Sequence, residues 1–254
     1  MIVAVDIGNT NIVVGFMDNE RIYSSLRIST DRKKTWQEYL IMLKVHMQHE
    51  GILRDSLQGG IVSSVVPSLR QVFRTCIEEL SSAKCLVVGP GIKTSLNIKM
   101  DNPSSLGSDL VVDAVAAIDL YGSSLAIFDL GTATTMSVID KDRNYVGGCI
   151  CTGLRIGVDA LSGGTSSLPY IDLSDPGKII GKNTLDCMKS GAILGHAAMM
   201  DGLLTRAEEE LGYELQGVAT GGLVSLVLPY CKKNIKGVPD LLLHGLRLLY
   251  EKNI

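Results

Sequence analysis

The chain has 254 residues, 46% of them apolar and 20% charged, and a formal net charge of −3. That length suits two domains of about 125 residues, and the apolar share is enough for packed cores rather than disorder. The charge excludes a long basic face, so nucleic acid is not expected as a partner.

The N-terminus lacks a basic segment followed by a long apolar one. The longest apolar stretch, residues 110–130, is interrupted by Asp113, Asp119 and Asp129. Neither a signal peptide nor a membrane span is expected, and the expectation is a soluble, cytoplasmic protein. Six cysteines are scattered without a C-x-x-C pair, and Cys149 and Cys151 alternate along a strand-like run. They read as free buried thiols rather than a zinc site.

Residues 1–13 read MIVAVDIGNTNIV: an apolar run, Asp6, Gly8, the small polar group Asn9, Thr10 and Asn11, and a second apolar run. Two buried strands and a tight turn follow from that pattern. Gly8 lets backbone approach a ligand, and exposed N–H groups in such a turn suit phosphate oxygens, with Asp6 at its base suited to a hydrated metal cation. Taken alone, the segment is equally compatible with an ordinary hairpin.

A third strand is expected over 21–29, with Arg32, Lys33 and Lys34 in a solvated loop. A helix over 35–50 carries Trp36, Tyr39, Leu40, Leu43 and Met47 at helical spacing, with Thr35 and Glu38 placed for a capping box. His46 and His49 read as a solvated helix end. Residues 60–67 form a strand stopped by Pro67, Ser68 caps a helix over 69–80, and 84–88 is a further strand. The order implies a mixed sheet flanked by helices. Residues 89–109 form a long loop rich in Gly, Pro, Asn and Ser, ending in Gly107-Ser108-Asp109 before an apolar helix over 110–120. Asp109 therefore stands at a helix N-terminus, where the dipole favours its ionised form and where an N-cap is also an ordinary role.

Residues 125–139 read LAIFDLGTATTMSVI, repeating the opening device half a chain later: Asp129-Leu130-Gly131-Thr132-Ala133 echoes Asp6-Ile7-Gly8-Asn9-Thr10. A D-x-G-[NT] turn heading each half signals a duplicated fold in which both turns hold one nucleotide phosphate tail. The spacing resembles the superfamily of sugar kinases, acetate kinase, actin and heat-shock chaperone ATPases. A strand over 145–150, a short helix and loop over 153–169, and a helix over 185–211 with small residues at three- and four-residue spacing follow. Those small residues fit packing within the chain or against a second copy. The run 217–222 ends in Thr220-Gly221-Gly222, whose backbone is able to reach an adenine or ribose; a helix over 223–230 and an amphipathic helix over 241–250 complete the chain.

Together these motifs resemble type III pantothenate kinase over nearly the whole length. They are the Asp6–Asn11 segment, Ser63-Ser64-Val65-Val66-Pro67, Asn102-Pro103, Gly107-Ser108-Asp109, residues 129–135, Gly147-Gly148, Leu168-Pro169, Gly181-Lys182-Asn183-Thr184 and Thr220-Gly221-Gly222. The resemblance implies an α/β fold of two duplicated actin-like (ribonuclease H-like) domains, 1–118 and 119–254, each a mixed five-stranded sheet flanked by helices. It implies ATP-dependent phosphorylation of pantothenate in coenzyme A biosynthesis. By the same resemblance ATP is held by Asp6, Ile7, Gly8, Asn9, Thr10, Asn11, Ile12, Val13 and Thr132. Asp109 is the catalytic base, and Met100, Gly107, Ser108, Asp109, Leu110 and Thr184 meet the substrate. Asp129 binds a monovalent cation, potassium or ammonium; magnesium lies near Asp6 without direct ligation; and the protein is a homodimer.

Departures from the family gather at the acceptor site. Gly107-Ser108-Asp109-Leu110 replaces the usual Gly-Ala-Asp-Arg, and leucine lacks the bidentate fork arginine offers a carboxylate. Met100 stands in place of a substrate-contacting tyrosine, and Thr152 in place of a proline. Three readings follow: an active kinase whose carboxylate grip comes from elsewhere, Arg155 being one source; an ATP-binding paralogue that complements a different subunit in a heteromer; and a kinase for an acceptor without a carboxylate.

Overall fold

Two mixed sheets carry the fold of the computed structural model, which describes all 254 residues. The first is built from β1 (Ile2–Ile7), β2 (Asn11–Met17) and β3 (Ile22–Ser29), joined as an antiparallel meander, with β4 (Gly60–Ser64) and β5 (Cys85–Val87) added parallel to β1 in the order β3-β2-β1-β4-β5. Between β3 and β4 runs α1 (Trp36–His49), and between β4 and β5 runs α2 (Pro67–Ser81). The capping box of α1 forms as its sequence requires, Thr35 accepting from the Glu38 N–H and Glu38 closing back on Thr35. Tyr39, Leu43, Leu69, Phe73 and Ile77 pack under Val3, Val5, Val14 and Phe16.

Two local expectations are corrected here. The cap of α2 is Val66 and not Ser68, because Pro67 takes the first helical position, where its missing N–H costs nothing. His46 is bonded to Ser24 Oγ at 2.8 Å rather than solvated. Arg32 lies exposed in a loop, as expected, and its guanidinium donates to Asn9 Oδ1 at 3.1 Å, beside the opening turn.

The linking segment contributes β6 (Asn97–Ile98) and leads into α3 (Ser108–Tyr121). The second sheet comprises β7 (Leu125–Leu130), β8 (Ala133–Ile139) and β9 (Asn144–Thr152) as a meander. After α4 (Leu154–Gly164) and α5 (Thr184–Leu211) come β10 (Gln216–Thr220), the short α6 (Val224–Val227) and β11 (Ile235–Gly237). The sheet order is β11-β10-β7-β8-β9-β6, six strands where five were expected, because β6 adds a parallel pair of residues beside Asn144 and Tyr145.

The last helix, α7 (Leu241–Asn253), returns to the first sheet, its Leu243, Leu246 and Leu249 packing with Ile2, Ala4 and Ile61. The compact units are accordingly Met1–Leu96 with Asn102–Ala116 and Leu241–Ile254, and Asn97–Asp101 with Ala117–Asp240. The division falls inside α3, and residues 241–254 belong with the N-terminal sheet rather than with the rest of the second half. No helix is long and apolar enough to cross a membrane.

Candidate functional site

The two D-x-G segments fold into the same object. β1 and β7 share one burial pattern along their six residues, as β2 and β8 do along their seven, and in β1 and β7 the half-buried position before the last apolar residue is the aspartate. Asp6 pairs with Val13 across its hairpin, and Asp129 with Thr135. In the first turn the Gly8 N–H donates to Asn11 O at 3.0 Å, and Thr30 Oγ1 donates to Gly8 O at 2.7 Å. In the second, the Gly131 N–H donates to Ala133 O at 3.1 Å. Apolar residues on both faces bury the strands from which the two turns project.

Beside Asp6, parallel pairing sets Ser63 of β4, and from there the first unit reaches Asp109. Ser63 Oγ and Ser108 Oγ lie 3.1 Å apart at the start of α3. The Gly107 carbonyl accepts the Val111 N–H, opening the helix, and Asp109 Oδ1 accepts the Leu110 N–H at 2.9 Å. A side chain at Gly107 would collide with that same oxygen, so glycine is required for the carboxylate to fold back over the helix end. Burial pushes the Asp109 carboxyl above its ordinary value, against the pull of the backbone N–H groups. The direction of the shift is thus opposite to the one the helix dipole alone would give: desolvation exceeds the helix-end stabilisation.

In the second unit Asp129 lies under the Thr220-Gly221-Gly222 loop. Thr220 pairs with Asp129 across β10 and β7, and Gly221, at φ +99°, sits where a Cβ would come within 2.5 Å of Asp129 Oδ1 and 2.6 Å of the Leu130 N. Glycine at 221 is therefore a condition for the Asp129 carboxylate to occupy its place. Gly153, just after β9, rests on the Thr132 carbonyl with no room for a side chain.

Thr184, the first residue of α5, lines a cleft of about 550 Å³ with Thr152, Leu154, Gly191, Gly195 and His196. Asn183 caps the helix by accepting the Asp186 N–H at 2.9 Å. A Cβ placed on Gly191, Gly195 or Gly202 would meet nothing within 4 Å, so these glycines do not serve close packing within the chain. His196 does not stand out in the sequence, where it reads as one polar residue in an apolar helix. Its Nε2 meets Thr134 Oγ1 at 2.8 Å, and burial holds its pKa below the ordinary 6.5. Of the cysteines, Cys76 and Cys85 are buried, whereas Cys187 on the cleft is exposed, contrary to the expectation of burial.

Met100 and Asp129 belong to the second unit, as do Thr132 and Thr184, while Asp6, the 8–13 turn and residues 107–110 belong to the first. Within each unit the expected groups converge: Asp6 with Ser63 and the start of α3, and Asp129 with the 220–222 loop.

Duplicated sheets of this order, each opened by an aspartate-bearing hairpin, define the actin-like fold of sugar kinases and related ATPases. The activator of 2-hydroxyisocaproyl-CoA dehydratase from Clostridium difficile, solved with bound ADPNP, is similar at a TM-score of 0.54, with 16% identity, 98% of this chain and 92% of that one covered. A Campylobacter jejuni structure described as a Baf family transcriptional activator aligns at a TM-score of 0.62 and 15% identity, covering 99% of this chain and 98% of the other. The sequence profile of type III pantothenate kinase matches residues 2–206. A type III pantothenate kinase of Bacillus cytotoxicus is 42% identical over 255 aligned positions, covering 100% of this chain and 97% of its own length. The chain belongs to the type III pantothenate kinase family.

Proposed function

We propose that the chain transfers the γ-phosphoryl group of ATP to the primary hydroxyl of pantothenate, with Asp109 as the base. The observation that carries this reading is the placement of Asp109. One of its oxygens is tied to the helix backbone, and burial raises its proton affinity towards what a general base needs. The carboxylate takes the hydroxyl proton as the O–P bond forms and ADP departs.

A loose phosphoryl-transfer transition state demands positioning and charge neutralisation above all. The Gly8 and Gly131 N–H groups close their own turns, and the N–H groups of the turn residues that follow them, Asn9 and Thr10 in the first and Thr132 in the second, supply donors for the phosphate tail, with Asp6, Ile7, Asn11, Ile12 and Val13 framing the first turn. Arg32, bonded to Asn9, adds a positive charge there. Carboxylate oxygens at half-buried strand ends are a donor set that fits hard cations: Asp6 for magnesium through water, Asp129 for potassium or ammonium. Such ions, when bound, neutralise charge on the polyphosphate. Met100, Gly107, Ser108, Leu110 and Thr184 are the proposed acceptor contacts, and the 220–222 loop the proposed adenosine contact.

The full-length match to a named kinase favours this reading over a non-catalytic partner subunit, the alternative raised by Leu110 and Met100. A homodimer is proposed on the apolar side chains that α4 and β9 expose, Ile156, Leu161 and Ile150. A cytoplasmic location is proposed with it.

A coupled assay of the purified chain with ATP, Mg²⁺, K⁺ and pantothenate tests the proposal. Turnover is expected, and Asp109→Asn should lower kcat by ~10²–10⁴-fold with ATP affinity by calorimetry unchanged. An Asp109→Asn variant that turns over like the parent would remove Asp109 from the reaction.

A further inference from the structure

The row of residues that crosses the second sheet through Asp129 has a counterpart in the first. Strand pairing sets Ser63, Asp6, Val13 and Arg27 side by side across β4, β1, β2 and β3. It sets Thr220, Asp129, Thr135 and Ile150 side by side across β10, β7, β8 and β9. Residues paired across a sheet project on one face, so each aspartate has two flanking side chains. One flank is a hydroxyl residue in both rows, Ser63 and Thr220. The other flank differs. Val13 packs with the apolar cluster of Ile2, Ala4 and Ile61, whereas Thr135, at the same half-buried position of its strand, carries a hydroxyl. Thr135 Oγ1 is withdrawn from solvent and bonded to nothing in the chain. Valine and threonine are close in shape, so the strand has no need of an oxygen there, and a buried hydroxyl without a partner costs stability.

We propose that Thr135 Oγ1 is a ligand of the monovalent cation at Asp129, a neutral oxygen that completes the carboxylate's hold on potassium or ammonium. This deepens the reading of Asp129 as the cation's carboxylate and rests on it. Potassium is held by several oxygens together, and a hydroxyl keeps lone pairs for a cation or for an ammonium N–H whatever its own proton does. Side chains opposite one another on antiparallel strands have Cβ atoms about 4.5–5.5 Å apart, close enough for both to meet one ion. The loop at Gly221 closes over Asp129 from the β10 side, where a Cβ would come within 2.5 Å of Oδ1, and Thr135 flanks it on the other. With Val13 in the corresponding place, the first hairpin offers no such oxygen, in keeping with the proposed contact of Asp6 with magnesium through water.

The test melts the full chain and its Asp129→Asn, Thr135→Val and Thr135→Ser variants with Mg²⁺ and ATP, in KCl, NH₄Cl or tetramethylammonium chloride at one ionic strength. Tetramethylammonium is a bulky cation that oxygens cannot ligate at close range. The parent should melt higher in KCl and NH₄Cl than in tetramethylammonium chloride, and Asp129→Asn should lose that rise. In Thr135→Val the K⁺ concentration that gives half the rise should increase roughly 10–100-fold, and the K⁺ needed for half-maximal turnover should increase with it. In tetramethylammonium chloride Thr135→Val should melt no lower than the parent, because valine removes an unbonded hydroxyl; a merely structural threonine gives the opposite result. Thr135→Ser, which keeps the oxygen, should keep most of the K⁺ response. Thr135→Ala supplies the K⁺ titration should the valine variant not fold. Parent-like K⁺ dependence in Thr135→Val would overturn the role of Thr135 and leave Asp129 as the cation's carboxylate. A parent indifferent to K⁺ would overturn the cation site, and the role of Thr135 with it.

Discussion

Asp109 sits where two local forces oppose each other. The N-terminal N–H groups of α3 draw its charge out, and burial pushes it back, with burial the larger. Because its folded pKa stands above the ordinary 3.8, the folded state holds this proton more tightly than the unfolded chain does. The contribution to stability is thus full below 3.8 and is lost as pH rises through the folded value, leaving a standing penalty for the ionised carboxylate at neutrality. Asparagine keeps the oxygen that accepts the Leu110 N–H and carries no charge. Asp109→Asn should therefore melt higher than the parent near neutral pH, with the difference closing as pH falls towards the ordinary value. Melting curves across that range check it, and equal midpoints at all pH values would contradict the burial argument. Asp6 and Asp129 stand out in the sequence because each lies in a short motif that recurs, whereas Asp109 reads locally as a helix cap and is singled out only by resemblance to the family motif. Ser63 with Ser108 and His196 with Thr134 do not stand out, since their partners are 45 and 62 residues distant and no local pattern records such pairs. The protonation preference of Asp109 escapes the sequence for the same reason: the dipole is local, whereas burial is a property of the packed fold.

Among the elements, the hairpins and α1 follow directly from composition. Runs such as IVAVDI and LAIFDL are apolar at every position but one, which suits strands covered on both faces, and Thr35 with Glu38 writes its own helix start. Two elements could not be placed that way. β6 has only two residues, too few for any period, and exists because the chain passes beside Asn144 and Tyr145. The apolar stripe of α7 says that it packs, but not on which sheet. Leu243, Leu246 and Leu249 settle it on the first sheet, and the buried Gly245 lies where a Cβ would strike the Val112 carbonyl and approach Val112 Cγ1 to 2.7 Å. That close approach joins α7 to α3, the helix that carries Asp109. Gly245→Ala must separate the two helices or strain them, at a cost of about 1–3 kcal/mol. A lowered urea midpoint with a reduced kcat is expected. An unchanged midpoint would mean that α7 has slack the packing does not show.

At the scale of the whole molecule, the side chains left uncovered argue for a second copy. Ile156 is 46% exposed, Leu161 48%, Leu185 48% and Ile150 77%, and these residues belong to α4, α5 and β9. Single exposed apolar residues need no explanation, and the proposed homodimer is the reading in which these four would be covered together. The glycines Gly191 and Gly195 leave that cleft open, and Thr184 stands in it. A homodimer through this face would bring the proposed acceptor contact Thr184 next to the interface, so association and turnover should be lost together. Ile156→Asp replaces one exposed contact with a charge that water accepts readily, and the isolated fold should tolerate it. Sedimentation velocity is expected to show two chains for the parent and one for Ile156→Asp. The variant should lose pantothenate turnover while retaining ATP binding by calorimetry, because the 8–13 turn is remote in sequence from the altered helix. A parent that sediments as one chain at full activity would sink the homodimer. A monomeric but active variant would keep the homodimer and separate it from catalysis.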